Sequence, residues 1–567
     1  MSASILHKPQ ETPLLTVSPG AKKIFKAMYR EQSGASAVLD DSVSRLAVSD
    51  LISKMSFYYE KIRNAVHYRE EHLLRKDAIA RIIKRQLLIE SPIKLNGTDV
   101  NETARHLLVE LIRAGYLPNN TLPETKIGEV AGIIEKYLLL RRLATSEAAS
   151  SVNFFGAAAS GAEFSGRIDL TNWLVGLAAA EIEELISPDE VSTTLVSVMY
   201  ALLEKRLELP PSMSAYEREL PIQLYLSIHR HLMKYDDEML SLILMRYFHG
   251  EWKSADLETI KRISKNITAL HKLIREELAH PLLSPLSRVV GGYTVYFNIL
   301  KEVVSEDPVT VYDEFFDDPK AFPRRIKQAC ARRYASAKTK LWRSAWRSII
   351  YILLTKSIFA VLLEIPAANL FGEIINPAIL AINISMPAVL LFFAVAVTRL
   401  PGEDNTKRII AGIEEIVFNE KQKTEPIVLR KAIGRNKVMN FIFGLIYTIT
   451  FFISFGAIVW LLEAVNFSWV STVIFLFFLA FVSFFIIRIR RGAKEWIVVE
   501  SRDTIFRFIL DFFSTPIVAT GKWLSTKFSR INVFVFVLDF IIEAPFKIFV
   551  EIAEEWTKYV RERKEQI

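Results

Sequence analysis

The sequence predicts an all-α membrane protein, in which a helical cytoplasmic region precedes a four-helix transmembrane domain and amphipathic C-terminal helices. Composition is the first observation: 51% of the 567 residues are hydrophobic, a high share for a water-soluble chain. Apolar residues in the first half recur at helical spacing, without the alternation typical of strands. The second half contains four long apolar runs. Together these patterns predict soluble helices followed by helices in lipid.

Residues 1–312 are predicted to form two helical cytoplasmic subdomains. The first comprises residues 1–147 and the second residues 167–312, because patterned apolar positions recur through both ranges. Residues 148–166 hold three glycines among alanines and few charges, a composition that cannot pack a large core. We therefore expect a flexible linker there, and an acidic-then-basic juxtamembrane linker over residues 313–347.

The transmembrane domain is predicted over residues 348–490. A membrane-spanning helix needs about 20 mostly apolar residues, and four segments reach or approach that length: 348–365, 375–399, 439–462 and 469–487. The last two contain no charged residue. The first is weaker, because Lys356 lies near its centre, where a lysine costs about 2.5–3.5 kcal/mol on insertion scales.

Basic residues beside the spans predict the orientation of the chain. Nine juxtamembrane basic residues precede the first span with no acidic residue among them: Arg324, Arg325, Lys327, Arg332, Arg333, Lys338, Lys340, Arg343 and Arg347. The connections 366–374 and 463–468 contain no lysine or arginine, whereas 400–438 is rich in both. Since cytoplasmic loops are enriched in these residues, we expect an integral plasma- or inner-membrane protein with both termini in the cytoplasm.

Residues 491–567 are predicted to form an amphipathic, interfacial C-terminal region. Charged residues recur there at steps of three and four: Asp539, Glu543, Lys547, Glu551, Glu554 and Lys558. This spacing places them along one stripe of a helix, beside a wide apolar face. The alternative is a fifth crossing at residues 531–552, which would bury three of these charges in hydrocarbon.

Three residues are predicted to form an intramembrane polar cluster. Counted from the outer ends of their spans, Lys356 lies nine residues deep, and Asn383 and Ser454 each lie eight residues deep. At about 1.5 Å per residue, all three reach a depth of roughly 12–14 Å. Ionisable groups in a span usually face a protein interior or a cavity. The cluster would serve either as a transport or ligand site or as a structural contact that holds helices together. A third possibility is that the Lys356 side chain extends along its four-carbon stem to the membrane surface.

No catalytic, phosphate-binding, dinucleotide-binding or metal-site motif occurs in the sequence, so we expect no catalytic residue, no cofactor and no metal ligand. The leading hypothesis is a non-enzymatic interaction, scaffold or membrane-assembly module. The alternative is a subunit of an oligomeric transporter or channel that uses Lys356, and an enzyme with scattered catalytic residues stays open.

The expected partners are the lipid bilayer, proteins that bind the cytoplasmic region, and a second copy of the chain in a homo-oligomer. Nucleic acid is not expected, although the net charge is +8. The basic residues gather beside the apolar runs and do not alternate with aromatic residues as in a nucleic-acid-binding surface.

Overall fold

The computed structural model describes residues 16–35, 44–48, 56–57, 60–61, 70–86, 99–150, 161–318, 320–372, 376–398, 400–430, 437–494, 496–498 and 505–530, with five further residues between 552 and 563. Helices make up 83% of the structure, which confirms the all-α class. The alternative crossing at 531–552 lies almost wholly outside the described residues.

In chain order the α-helices are α1 (Pro19–Ala35), α2 (Glu71–Arg85), α3 (Val100–Arg113), α4 (Thr125–Ser150), α5 (Gly161–Ile186), α6 (Glu190–Glu204), α7 (Leu220–Leu232), α8 (Asp237–Phe248), α9 (Leu257–Ser264), α10 (Ile267–Leu278), α11 (Leu283–Glu306), α12 (Pro308–Asp317), α13 (Ala321–Phe359), α14 (Ile365–Leu370), α15 (Pro377–Ala396), α16 (Glu403–Val417), α17 (Lys437–Ala464), α18 (Trp469–Lys494) and α19 (Ile505–Arg530). Two short strands, β1 (Leu207–Glu208) and β2 (Ile427–Val428), form one parallel pair.

The described residues divide into two compact units. The helical unit comprises Pro19–Thr294 and Thr424–Lys431, and the membrane unit comprises residues 16–18, Val295–Lys423 and most of the described chain after Ala432. Helix starts in the helical unit are set by aspartates at the N-cap. Asp99, Asp189, Asp236 and Asp256 each accept a hydrogen bond from a backbone N–H in the first turn of the helix that follows. Such caps satisfy amide groups that have no partner within the helix.

The helical unit contains two apolar clusters that share one helix. Val175, Ala179 and Ile182 of α5 belong to the cluster built with α2, α3 and α4. Trp173 and Leu177 of the same helix belong to the cluster built with α8, α9 and α10. Helix α5 therefore contributes to both cores, and it also packs on α4. Within the predicted linker 148–166, α4 ends at Ser150 and α5 begins at Gly161, and the residues between them lie outside the described range.

The membrane unit contains four helices that are long and apolar enough to cross a bilayer: Ala321–Leu370, Pro377–Ala396, Val438–Ala464 and Trp469–Arg490. Each contains most or all of one predicted span. The first helix begins much earlier than its span, because residues 313–347 form the end of α12 and most of α13. No glycine or proline occurs between Arg324 and Ile365, so the helix continues through the basic stretch without a breaking residue.

Helix α19 packs along α18 and α17. Gly521 lies against the backbone of Ala480, which is near the middle of the apolar part of α18. The Ser454 hydroxyl, near the middle of α17, donates a hydrogen bond to the Phe513 carbonyl of α19 at 2.8 Å. The sequence predicts an interfacial region here. The described part of that region packs on the last two spans, and Gly521, which has no side chain, permits the close approach to α18.

Candidate functional site

The candidate site is a charged pair inside the membrane unit. Lys356 of α13 and Glu364, at the end of the π-helical turn that follows α13, are 0% and 1% exposed. The Lys356 Nζ atom lies 3.8 Å from Oε2 of Glu364. Both residues lie within a helix that contains no other charged residue from Ile349 to Leu370. The pair is therefore an ion pair buried at membrane depth.

The local helix geometry places both charges on one face. An α-helix turns by about 100° per residue, so two residues eight positions apart end about 80° from each other. Residues Ala360–Glu364 are π-helical, and a wider turn of about 82° per residue over four steps brings Glu364 to within about 10° of Lys356. Pro366 explains the irregular turn, because it has no N–H to donate to the carbonyl four residues earlier.

Two further spans donate hydrogen bonds to the same carboxylate. The Asn383 Nδ2 group of α15 donates to Oε1 of Glu364 at 2.5 Å. The Ser471 hydroxyl of α18 donates to that oxygen at 2.6 Å. Pro387, one turn after Asn383, cannot donate to the Asn383 main-chain carbonyl, so the helix ladder leaves that acceptor free. Glu364 is therefore the centre of a polar cluster in which three spans meet.

Lys356 has a weaker set of contacts than Glu364. Its ammonium lies 4.6 Å from the centre of the Phe478 ring of α18, a cation–π distance. Among the described residues, its Nζ has no hydrogen-bond partner, and the same holds for Glu364 Oε2 and for Asn383 Oδ1. One donor group and two acceptors thus remain without hydrogen bonds in a fully buried site, an arrangement that is costly at low dielectric.

The three residues predicted to cluster do not all meet. Lys356 and Asn383 both contact Glu364, on opposite oxygens of its carboxylate. Ser454 lies elsewhere, since its hydroxyl is bonded to the Phe513 carbonyl. Sequence reasoning missed Glu364, because it lies next to the end of its apolar run and, on a regular α-helix, about 80° around the axis from Lys356. The available signal was an acidic residue at the end of an apolar run, two positions before a proline.

The juxtamembrane basic residues fall into two groups. Four arginines form ion pairs with acidic residues 302–318: Arg324 with Asp318, Arg325 with Glu314, Arg332 with Glu306 and Arg333 with Glu302. The other five are exposed: Lys327, Lys338, Lys340, Arg343 and Arg347. The acidic-then-basic pattern of the sequence is therefore partly neutralised by pairing between α13 and the segment before it.

No protein family, curated protein or solved structure matches the chain. Its general class rests on its own features: four apolar helices indicate an integral membrane protein.

Proposed function

We propose that the protein is a subunit of a transporter or channel, and that Lys356 and Glu364 form the group whose charge state changes during its cycle. The observation that carries the proposal is the fully buried ion pair with incomplete hydrogen bonding. Ionisable residues inside spans commonly mark proton relays and ion pathways. A pair kept only for stability is less well explained, because apolar residues of similar volume often replace such pairs without loss.

The neighbours of Glu364 suit both of its protonation states. When the carboxyl is ionised, it accepts hydrogen bonds from Asn383 Nδ2 and from the Ser471 hydroxyl. When it is protonated, its O–H can donate to the free Asn383 Oδ1, and the Ser471 hydroxyl can still donate or rotate to accept. Lys356 then loses its counter-charge. A proton added to Glu364 thus releases the ammonium, which is the step that would couple protonation to movement of α13.

Oligomerisation is part of the proposal, because four spans are too few to enclose a wide path. Helix α17 supports it, since most of its large apolar side chains are exposed within one chain, including Phe441, Leu445 and Trp460. A second copy of the chain or lipid would cover them.

For orientation, we propose a cytoplasmic helical unit, following the positive-inside rule. Pairing of β1 with β2 supports two crossings between them, because the Ile427 N–H donates to the Arg206 carbonyl at 2.6 Å and both strands belong to the helical unit. An even number of crossings must therefore separate residues 208 and 427. The cytoplasmic position of the C-terminus stays a prediction, since it depends on the chain after Arg530.

An interaction, scaffold or membrane-assembly module is the second candidate. The observation that favours it is that the helical unit includes Thr424–Lys431, a segment of the connection between the second and third spans. Arg206 Nε donates to the Glu425 carbonyl at 3.2 Å. A partner that binds the helical unit could therefore shift the segment Thr424–Lys431, which precedes α17 in the chain. Protein partners of the helical unit are part of this second proposal.

Flux through reconstituted protein tests the leading proposal. The full chain would be placed in liposomes that contain a pH-sensitive dye, and proton and small-ion movement would be driven by an imposed gradient. We expect Glu364→Gln and Lys356→Met each to lower flux at least about tenfold, the loss produced by roughly 1.4 kcal/mol at the limiting step.

Ser454→Ala is the matched control, because it changes a polar residue of the same unit that lies outside the cluster. Its flux should equal that of the parent. Parent-like flux in Glu364→Gln protein that remains folded would contradict the charge-changing role. An absence of any flux in the parent would favour the scaffold candidate, which a pull-down from mild detergent, with and without residues 1–345, would then test.

A further inference from the structure

One face of α13 changes from cationic to apolar within a single turn. Lys340, Arg343 and Arg347 follow steps of three and four residues, so their side chains share one face of the helix. All three are exposed. Ile350, Tyr351 and Leu354 continue the same face, and each is more than half exposed. The chain is helical without interruption through this change. The polar surface and the lipid-facing surface of the membrane unit therefore meet between residues 347 and 350.

An exposed tryptophan, Trp346, lies at the level where α13 changes from cationic to apolar. Trp346, one residue before Arg347, is 53% exposed, and its ring lies 6.3 Å from that of Phe392 on α15. Phe392 is four residues from the end of its helix, Ala396. Tryptophan is enriched at the headgroup level of bilayers, where its apolar ring and its N–H are both accommodated. Two neighbouring spans thus reach the membrane surface at the height of the three cations.

These cations differ from the arginines that precede them on α13. Arg324, Arg325, Arg332 and Arg333 pair with carboxylates of residues 302–318. Lys340, Arg343 and Arg347 have no ion pair with any residue that the structure describes. Among the described residues, no acidic side chain compensates this cluster of three positive charges, which lies next to an apolar surface. Its natural counter-charge is an anion that also has an apolar part.

We propose that Lys340, Arg343 and Arg347 form a binding site for an anionic phospholipid, with its phosphate against the cations and its acyl chains along Ile350, Tyr351 and Leu354. Guanidinium groups match the oxygens of phosphate and carboxylate groups in pairs, which favours an oxyanion over a chloride ion. The adjoining apolar face selects a lipid over free phosphate, because only a lipid occupies both surfaces at once. The anionic leaflet of the membrane supplies such headgroups.

Retention of lipid by the purified full chain tests this site. The protein would be exchanged into detergent with equal amounts of phosphatidylglycerol and phosphatidylcholine, and retained lipids would be counted by native mass spectrometry. We expect the parent to prefer phosphatidylglycerol. The triple variant Lys340→Gln, Arg343→Gln, Arg347→Gln should lose that preference at least about threefold, because its site has no positive charge to attract a phosphate.

The chain offers a charge-matched control in Arg324→Gln, Lys327→Gln, Arg332→Gln. These substitutions remove three positive charges from the same helix. They lie far from the proposed site, since Arg332 is 15 residues before Arg347, or about 22 Å along the axis. The control should retain the preference. Equal loss in both triple variants would overturn the site, as would an unchanged preference in the first.

Salt dependence of the parent provides a readout that needs no substitution. Phosphatidylglycerol retention should fall as ionic strength rises, because the exposed cations are screened. Retention that is independent of salt would contradict a headgroup site, even if the Gln variants failed to fold. Added inorganic phosphate should compete only weakly. Strong competition by phosphate would show that the acyl chains add nothing, and would overturn the choice of a lipid.

Discussion

Lys136 of the helical unit and Lys356 of the membrane unit are both buried beside a glutamate and an aromatic ring, but they differ in their hydrogen bonding. In the helical unit, Lys136 Nζ lies 2.7 Å from Glu181 Oε1 and donates to the Trp252 carbonyl at 3.3 Å. The Trp252 ring lies 4.7 Å from the same ammonium. In the membrane unit, Lys356 also has a glutamate and an aromatic ring nearby, but its glutamate is 3.8 Å away and its ammonium lacks a hydrogen bond.

The network around Lys136 is closed. The Tyr137 hydroxyl donates to Glu181 Oε2 at 2.8 Å, and Trp252 Nε1 donates to the Tyr137 oxygen at 3.1 Å. Burial nevertheless lowers the pKa of Lys136, because desolvation outweighs the attraction of Glu181. Burial also raises the pKa of Tyr137 well above its usual value, and the Glu181 charge adds to the rise. Even a pair whose hydrogen bonds are complete therefore bears a desolvation cost.

The two Lys–Glu pairs differ in how many of their polar atoms have hydrogen-bond partners. Both units bury a Lys–Glu pair, so burial alone does not distinguish them. The Lys136 pair uses its oxygens and protons within the protein, which fixes one arrangement of α4 and α5. The Lys356 pair keeps donors and acceptors free at the junction of three spans, which leaves room for a change of partner.

Removal of the counter-charge should have the largest effect in the helical unit. Glu181→Leu would leave Lys136 buried and unpaired, at a cost of about 3–5 kcal/mol. Hydrogen–deuterium exchange of the α4 amides in the full chain measures this loss, because it reports each unit separately. Glu135→Gln is the control, since Glu135 is exposed on the same helix and its change should leave exchange unaltered. Slow exchange in Glu181→Leu protein would mean that Lys136 finds another partner or loses its proton.

Two helical glycines, one in each unit, are crowded by different kinds of atom, and their substitution should have the next largest effect on stability. A Cβ at Gly521 would lie 1.9 Å from the Ala480 carbonyl oxygen of α18, whereas a Cβ at Gly176 would lie 2.6 Å from Glu238 Cγ. A backbone atom cannot move alone, but a flexible side chain can. We expect Gly521→Ala to destabilise the membrane unit by about 1–3 kcal/mol through overpacking.

Gly176→Ala should cost less than Gly521→Ala, because alanine favours the helix by roughly 0.5–1 kcal/mol and the crowded atoms belong to the Glu238 side chain, whose shift would strain only its 3.2 Å ion pair with Lys76. The midpoint of thermal unfolding in mild detergent compares the two variants with the parent. Equal midpoints for Gly521→Ala and the parent would show that α19 does not approach α18 closely at this position.

The spans were predictable because lipid requires long apolar helices, a signal that composition alone carries. The shared environment of Lys356 and Asn383 was also within reach, since depth can be counted along a helix. The contact of Glu364 with Lys356 was not, because it depends on a π-helical turn that rotates the Glu364 side chain by about 70° relative to a regular α-helix. Ser454 contacts α19 and not Lys356 or Asn383, because α19 packs beside α17. The charged residues of α19 did not indicate that this helix would pack along the spans.

Pairing of the basic residues was likewise hidden. A run of nine cations indicates the side of the membrane, but the sequence does not say which of them find a carboxylate. Arg333 reaches Glu302, which lies 31 positions earlier and on a different helix. Only the folded geometry divides the run into cations that pair with carboxylates and cations that form no ion pair with a described residue, and the proposed lipid site rests on this division.

Acidification should lower the stability of the helical unit more than that of the membrane unit, and this is the smallest of the expected effects. Burial lowers the pKa values of His72, His229 and His231 in the helical unit. A folded pKa below the unfolded value of about 6.5 means that these histidines favour folding above that pH, and that the contribution is lost as pH falls through the lowered folded values. Residues 295–534 contain no histidine. The helical unit should therefore lose stability between about pH 7 and pH 5, by less than about 1 kcal/mol per histidine.

His229→Phe isolates one contributor to this acid sensitivity. The His229 ring lies 4.3 Å from that of Tyr225, and its Nδ1–H donates to the Tyr225 carbonyl at 3.0 Å in the neutral form. Phenylalanine keeps the aromatic packing and removes the titrating group. Exchange of the α7 amides, corrected for the intrinsic effect of pH, should change less on acidification in the variant than in the parent. His106→Gln, at an exposed position of α3, should leave the acid response of α7 as it is. An acid response in His229→Phe equal to that of the parent would assign the effect to other groups, because the buried imidazole would then contribute nothing to the pH dependence.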